Sequence, residues 1–280
     1  MLSARALGWA LGLTVTFMAV EVVGGLLARA LALLADAAHM LTDAGALALS
    51  LFAAWIAARP AAAGKTYGYY RVEILAALAN GALLLAVTVG IVLEALQRLR
   101  HPEQVRAGIL LGVATLGLLA NLVVVVILHR AKGESLNVHG AYLHVLSDLL
   151  GSVAAISAGA IILATGWVVA DPLISIGLSL LLIFSAWRLV RQSVDVLLEA
   201  APRHVSLPDL EAAISGVPHV RGVHDLHVWT VSSGIVAMSG HATVPDPASH
   251  QEALEEITRR VRRFGIQHVT VQLEQSGICE

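Results

Sequence analysis

Apolar residues run almost unbroken through six stretches, at 6–29, 33–58, 70–97, 107–129, 138–166 and 172–198. At 1.5 Å of rise per residue, each is long enough to cross the roughly 30 Å hydrocarbon core of a bilayer. Turn chemistry marks the breaks: Arg59-Pro60 with Gly64 and Gly68, His101-Pro102, Lys132-Gly133 and Asp171-Pro172. In the last of these, Asp as N-cap and Pro at the first helical position predict a helix start. The first stretch exceeds the short core of a signal peptide and further spans follow it, so it predicts a first transmembrane helix. Arg5, Arg59, Lys65, Arg71, Arg130, Lys132, Arg188 and Arg191 fall on one side, against Arg29, Arg98, Arg100 and Arg106 on the other. That bias predicts both termini in the cytoplasm, and the expected location is the cell inner (plasma) membrane, crossed several times.

Beyond Pro202 the period changes. Ser206 caps a short helix reaching Ile214, and 220–231 and 235–244 alternate as strands around Ser232-Ser233-Gly234. A helix over 248–264 and a third strand over 268–274 complete an αββαβ order. The expected division is a six-helix transport domain at 1–201 and a cytoplasmic domain at 202–280. Glu252, Glu255, Glu256, Arg259, Arg260, Arg262 and Arg263 read as the solvated face of its second helix, paired at i,i+4.

Composition agrees with a bilayer as solvent. Hydrophobic residues make up 57% of the chain and charged residues 14%, whereas soluble domains carry about 25% charged. Mean hydropathy is +0.77. A net charge of −2 gives no footprint for nucleic acid. One cysteine, Cys279, excludes an intramolecular disulfide.

Two apolar spans share one polar pattern. His39-Met40-Leu41-Thr42-Asp43 and His144-Val145-Leu146-Ser147-Asp148 both read His, apolar, Leu, hydroxyl, Asp. Residues four apart share a helical face, so each helix offers an imidazole and a carboxylate to one point. Four such ligands suit tetrahedral Zn²⁺. Ionisable residues at that depth cost at least about 2.5 kcal/mol on insertion scales. Simple His–Asp hydrogen bonding would explain one pair; the same pattern on two spans favours a shared metal site. Imidazole binds metal only when neutral and carboxylate only when ionised, so protons compete for the same groups and metal/proton antiport follows. A membrane zinc hydrolase would need an open coordination position and a general base, and the chain has no His-Glu-x-x-His. A metal sensor would need an output module, of which there is no trace.

These residues resemble the cation diffusion facilitator family, in its zinc-exporter branch. The likeness extends over nearly the whole chain through residues 34–43, Tyr67-Gly68-Tyr69-Tyr70-Arg71-Val72-Glu73, residues 144–148, Asp171-Pro172 and His224-Asp225-Leu226-His227-Val228-Trp229. It implies a homodimer, proton-coupled export of Zn²⁺ with Cd²⁺ or Co²⁺ as further cargo, and a metallochaperone-like (ferredoxin-like) cytoplasmic domain that binds zinc. It carries soluble-domain ligands onto His224, His241, Glu274 and His250, with Gln272 where relatives can place a histidine and Cys279 as a weaker candidate. It also implies a charge contact from Arg71 to Glu199 or Asp195. Residues 59–70 contain no His or Asp, so no metal site is expected there, and His129 and His139 are expected to face water. Asp36 is expected to cap span two or line an outer vestibule. Glu21 and Glu73 are expected to bond between helices, with proton relay as the alternative.

Overall fold

The computed structural model describes the backbone of all residues except 1, 58–63, 65–66, 132–135, 233 and 277–280. Within helices, the side chains of 2–11, 13–14, 42–43, 46–54, 57, 127–131 and 136–147 are also left undescribed. Six long helices come first: α1 Leu2–Ala28, α2 Leu31–Ala57, α3 Arg71–Arg100, α4 Ala107–Ala131, α5 Leu136–Thr165 and α6 Ala170–Leu197. Among the described residues, four stretches are long and apolar enough to span a membrane: Arg71–Arg100, Ala107–Val126, Asp148–Thr165 and Ala170–Leu197. Val15–Ala28 and Leu31–Leu41 are shorter apolar stretches of α1 and α2. The chain forms two compact units, one of Met1–Ser50 with Ala77–Val190 and the other of Leu51–Ala76 with Arg191–Glu280.

In the first unit the interior is built of small residues. Ala28, Ala30, Ala32, Ala114, Ala155 and Ala158 are fully buried around Leu33 and Leu110, whereas Leu26, Leu150, Leu163 and Phe184 face outward. That inversion suits lipid, where close backbone approach rather than exclusion of water holds helices together. Gly159 illustrates it, because a Cβ there would stand 2.8 Å from Leu111 Cγ.

Two expectations about helix starts are corrected here. α6 begins at Ala170, so Asp171 lies inside its first turn rather than capping it. Its carboxylate caps α2 instead: Oδ2 accepts from Leu31 N at 2.8 Å and Oδ1 from Ala32 N at 3.0 Å. Asp36 therefore does not cap span two; it lies more than a turn inside α2, buried. The α1–α2 turn passes through Arg29 at φ +54°, and Arg98 Nη1 donates to the Arg29 carbonyl at 2.6 Å.

The second unit carries the αββαβ order. Ser206 caps α7 (Leu207–Ser215) by accepting from Asp209 N. Strands β1 (Gly222–Ser232), β2 (Ile235–Thr243) and β3 (His268–Glu274) form one sheet in the order β1-β2-β3. β1 and β2 pair antiparallel, while β2 and β3 pair parallel. The return between them is α8 (His250–Val261), flanked by short 3-10 turns at Pro247–Ser249 and Arg262–Phe264. Helix and sheet enclose Leu210, Ile214, Val228, Met238, Ile257 and Val261. On the outer face of α8, Glu256 pairs with Arg259 and Arg260, and Gln251 donates to Glu255.

Residues 67–73 belong to this unit as well. Arg71 Nη2 pairs with Glu199 Oε1 at 2.6 Å, while Asp195 pairs with Arg203. Ser232 Oγ donates to Glu73 Oε2 at 2.8 Å, and Tyr67 meets the edge of His268.

Candidate metal centres

On α2, His39 is half-buried, and its Nε2 lies 3.6 Å from Oδ1 of Asp148 on α5. Asp148 is almost entirely enclosed, at 1% exposure. The edge of a tetrahedral zinc shell, from bond lengths of about 2.0–2.1 Å, is about 3.3–3.4 Å. The observed separation is close to that edge. A cavity of about 330 Å³ opens beside His39, lined by Asp36, Gly151, Leu178, Leu182 and Ser185 among others. Asp43 and His144 lie in α2 and α5, but their side chains are outside the described residues.

Two further carboxyl groups occupy this region. Asp36 lies against Gly151, whose added Cβ would stand 2.8 Å from Asp36 Cγ. Glu21 of α1 lies against Gly117 of α4, where a Cβ would stand 2.8 Å from Glu21 Oε1 and 3.5 Å from Ser152 Oγ. All three side chains are buried. The sequence singles out Glu21 and Asp36; nothing in it points to Gly117, Gly151 and Ser152, because a notch for a carboxylate has no local signature.

In the second unit, the parallel register sets His241 of β2 beside Gln272 and places Glu274 one pleat beyond it. The antiparallel register sets His224 opposite His241. His224, His241 and Glu274 consequently converge, each with one ligand atom within 4.8 Å of the others. Glu274 Oε1 lies 2.6 Å from His241 Nδ1, and Glu274 Oε2 lies 3.4 Å from His224 Nε2. Among the described residues, the buried His224 Nε2 has no hydrogen-bond partner. A divalent cation fits this donor set: the 3.4 Å spacing is already that of a coordination edge, and the His241–Glu274 hydrogen bond would open to admit it.

His250 is not part of this group. Standing at the start of α8, its Nε2 meets the Val244 carbonyl at 2.9 Å, because the 3-10 turn folds it back onto the strand end. Gln272 Nε2 donates to Glu274 Oε1 at 3.1 Å and so orients the carboxylate. Asp225 extends the group: its Oδ2 is 3.8 Å from His241 Nε2 and its Oδ1 is 2.8 Å from His227 Nε2. It sits in the register break between His224 and His227 at φ +50°, and that bulge turns it toward β2. The run His224-Asp225-Leu226-His227 held the signal, but alternation alone assigns residue 225 to the opposite face. Cys279 lies outside the described residues.

Comparisons with known proteins agree in kind. Residues 9–198 match the cation efflux transmembrane domain and residues 202–276 the cytoplasmic domain of cation efflux proteins. The chain is 46% identical over 275 residues to the zinc transporter ZitB of Escherichia coli K12, covering 97% of this chain and 88% of that protein. It is 45% identical over 279 residues to the metal cation efflux system protein CzcD of Cupriavidus metallidurans, covering 99% and 88%. It is also 40% identical over 263 residues to a cadmium, cobalt and zinc/H⁺–K⁺ antiporter of Bacillus subtilis, covering 92% and 85%.

Proposed function

Because the chain belongs to the cation diffusion facilitator family, whose members are transporters rather than enzymes, we propose that it exports Zn²⁺ from the cytoplasm in exchange for protons. Cd²⁺ and Co²⁺ are further cargo, in line with the substrates named for its relatives. The metal is held in the membrane by His39, Asp43, His144 and Asp148. The observation that carries this reading is the 3.6 Å approach of His39 to the buried Asp148 across two helices.

Helix geometry supports the other two ligands. Successive spans alternate in direction, so α2 and α5 run oppositely. Four residues forward from His39 and four back from Asp148 bring Asp43 and His144 to one level, a turn away.

The cycle follows from protonation. Ionised carboxylates and neutral imidazoles hold the cation; protons arriving from the opposite side convert each ligand to a form that cannot. Alternating access separates the two occupancies. Residues 1–201 act as the transport domain, with both termini cytoplasmic in the inner membrane. Residues 202–280 act as a cytoplasmic domain in a homodimer, where His224, His241 and Glu274 would hold a resident zinc ion that ties β1, β2 and β3 together.

Zinc uptake into inverted proteoliposomes tests the reading. The parent protein concentrates zinc when the lumen is acidic, while His39→Ala and Asp148→Asn reduce flux at least tenfold. Normal flux in Asp148→Asn removes the site from the mechanism, and flux unchanged by collapse of the pH gradient removes the proton coupling.

A further inference from the structure

Beside the transport site lies a second set of buried oxygen atoms that the cycle above does not use. Glu21 Oε2, Asp36 Oδ2 and Ser152 Oγ are buried without a hydrogen-bond partner among the described residues. They come from three helices, α1, α2 and α5. Gly117 and Gly151 leave the notches in which the carboxylates lie, since a Cβ at either would run into them. Leaving a polar group unmatched in hydrocarbon is costly, and a buried carboxylate with an unmatched oxygen is relieved by taking up a proton or a bound cation. The arrangement is that of a lined site.

Its position gives it a direction. Gly151 and Ser152 follow Asp148 by three and four residues on α5, and Asp36 precedes His39 by three on α2, which is about one helical turn in each case. Both displacements lead toward the α1–α2 and α5–α6 connections, away from the termini. The cavity beside His39 is lined by Asp36 and Gly151 as well, so one member of each set faces the same space.

We infer that Glu21, Asp36 and Ser152 form an oxygen-lined station for a divalent cation, one helical turn outward of His39 and Asp148 on the export path. The inference rests on the transport site proposed above and adds a second stop to it. Imidazole suits zinc, whereas carboxylate and hydroxyl oxygens suit harder ions such as Mn²⁺. A zinc ion that leaves His39 for oxygen ligands is therefore held less tightly, and the station eases release.

Mn²⁺ is the matching probe, read by electron paramagnetic resonance on the full chain in lipid nanodiscs. The parent protein should bind a Mn²⁺ ion that persists in His39→Ala and in His241→Ala. Glu21→Gln and Asp36→Asn should each weaken it at least tenfold and Ser152→Ala about threefold, and the two carboxyl variants should lower zinc flux at least tenfold. Gly151→Ala crowds Asp36 without removing a charge and should also weaken Mn²⁺; together with Ser152→Ala it carries the test if the carboxyl variants do not fold. Mn²⁺ binding equal in the parent and in all four variants overturns the station. Flux lost with Mn²⁺ binding unchanged overturns it too, and assigns the carboxyl groups to protons. Normal zinc flux in Asp148→Asn would instead overturn the transport site, a separate result that the Mn²⁺ titration does not affect.

Discussion

Asp171 holds the first amide of a helix it does not belong to: its Oδ2 accepts from Leu31 N at 2.8 Å. The second oxygen takes Ala32 N, so the N-terminus of α2 is fixed by a carboxylate on α6. Since α2 carries His39, the height of that imidazole depends on this bond. Asp171→Ala should cost about 1–2 kcal/mol, as expected for removing a helix cap, and Asp171→Asn about half as much. Thermal unfolding in detergent measures the loss; zinc flux should fall with it.

Metal choice should follow the ligand at residue 39. Exchanging imidazole for carboxylate makes the donor set harder. His39→Asp should therefore raise Mn²⁺ and Co²⁺ transport relative to zinc by roughly tenfold or more. Parallel uptake assays with each ion read the ratio, and an unchanged ratio would remove His39 as a selectivity determinant.

The Arg71–Glu199 pair is short but half-exposed, so screening limits its worth. A double-mutant cycle with Arg71→Ala and Glu199→Ala should return a coupling of about 0.2–1 kcal/mol, vanishing in about 1 M salt. The swap Arg71→Glu with Glu199→Arg should restore most of the stability that each single change removes.

Zinc bound by His224, His241 and Glu274 should stabilise the full chain by about 2.7 kcal/mol at a hundred times its dissociation constant. His241→Ala and Glu274→Gln should abolish most of that gain. Since imidazole binds metal only when neutral and carboxylate only when ionised, stabilisation by zinc should shrink as pH falls. Melting curves with and without zinc between about pH 5.5 and 8 measure the trend.

Much of this architecture is legible in sequence because apolar length and strand alternation are local properties. The helix boundaries shift by a few residues, and β3 at His268–Glu274 agrees with expectation. What sequence misplaces depends on distant partners. Asp171-Pro172 carries a sound local cap signal, yet its carboxylate is taken by amides 140 residues away. His250 looks like a ligand until a 3-10 turn folds it onto Val244. Asp225 escapes because a bulge breaks the alternation by which faces are assigned. Among the proposed transport ligands, the repeated His-to-Asp spacing singles out both helices, but only three-dimensional packing buries Glu21 and Asp36 in the same unit.

The parallel pairing of β2 with β3 has a thermodynamic side. His241 and Glu274 are 33 residues apart in the chain, with all of α8 between them. A cation gripping both would act as a removable cross-link around that helix. By the loop-entropy estimate used for a disulfide of that span, it would deprive the unfolded chain of about 4 kcal/mol of freedom. Cytoplasmic zinc concentration would then set how firmly the crossover is stapled shut.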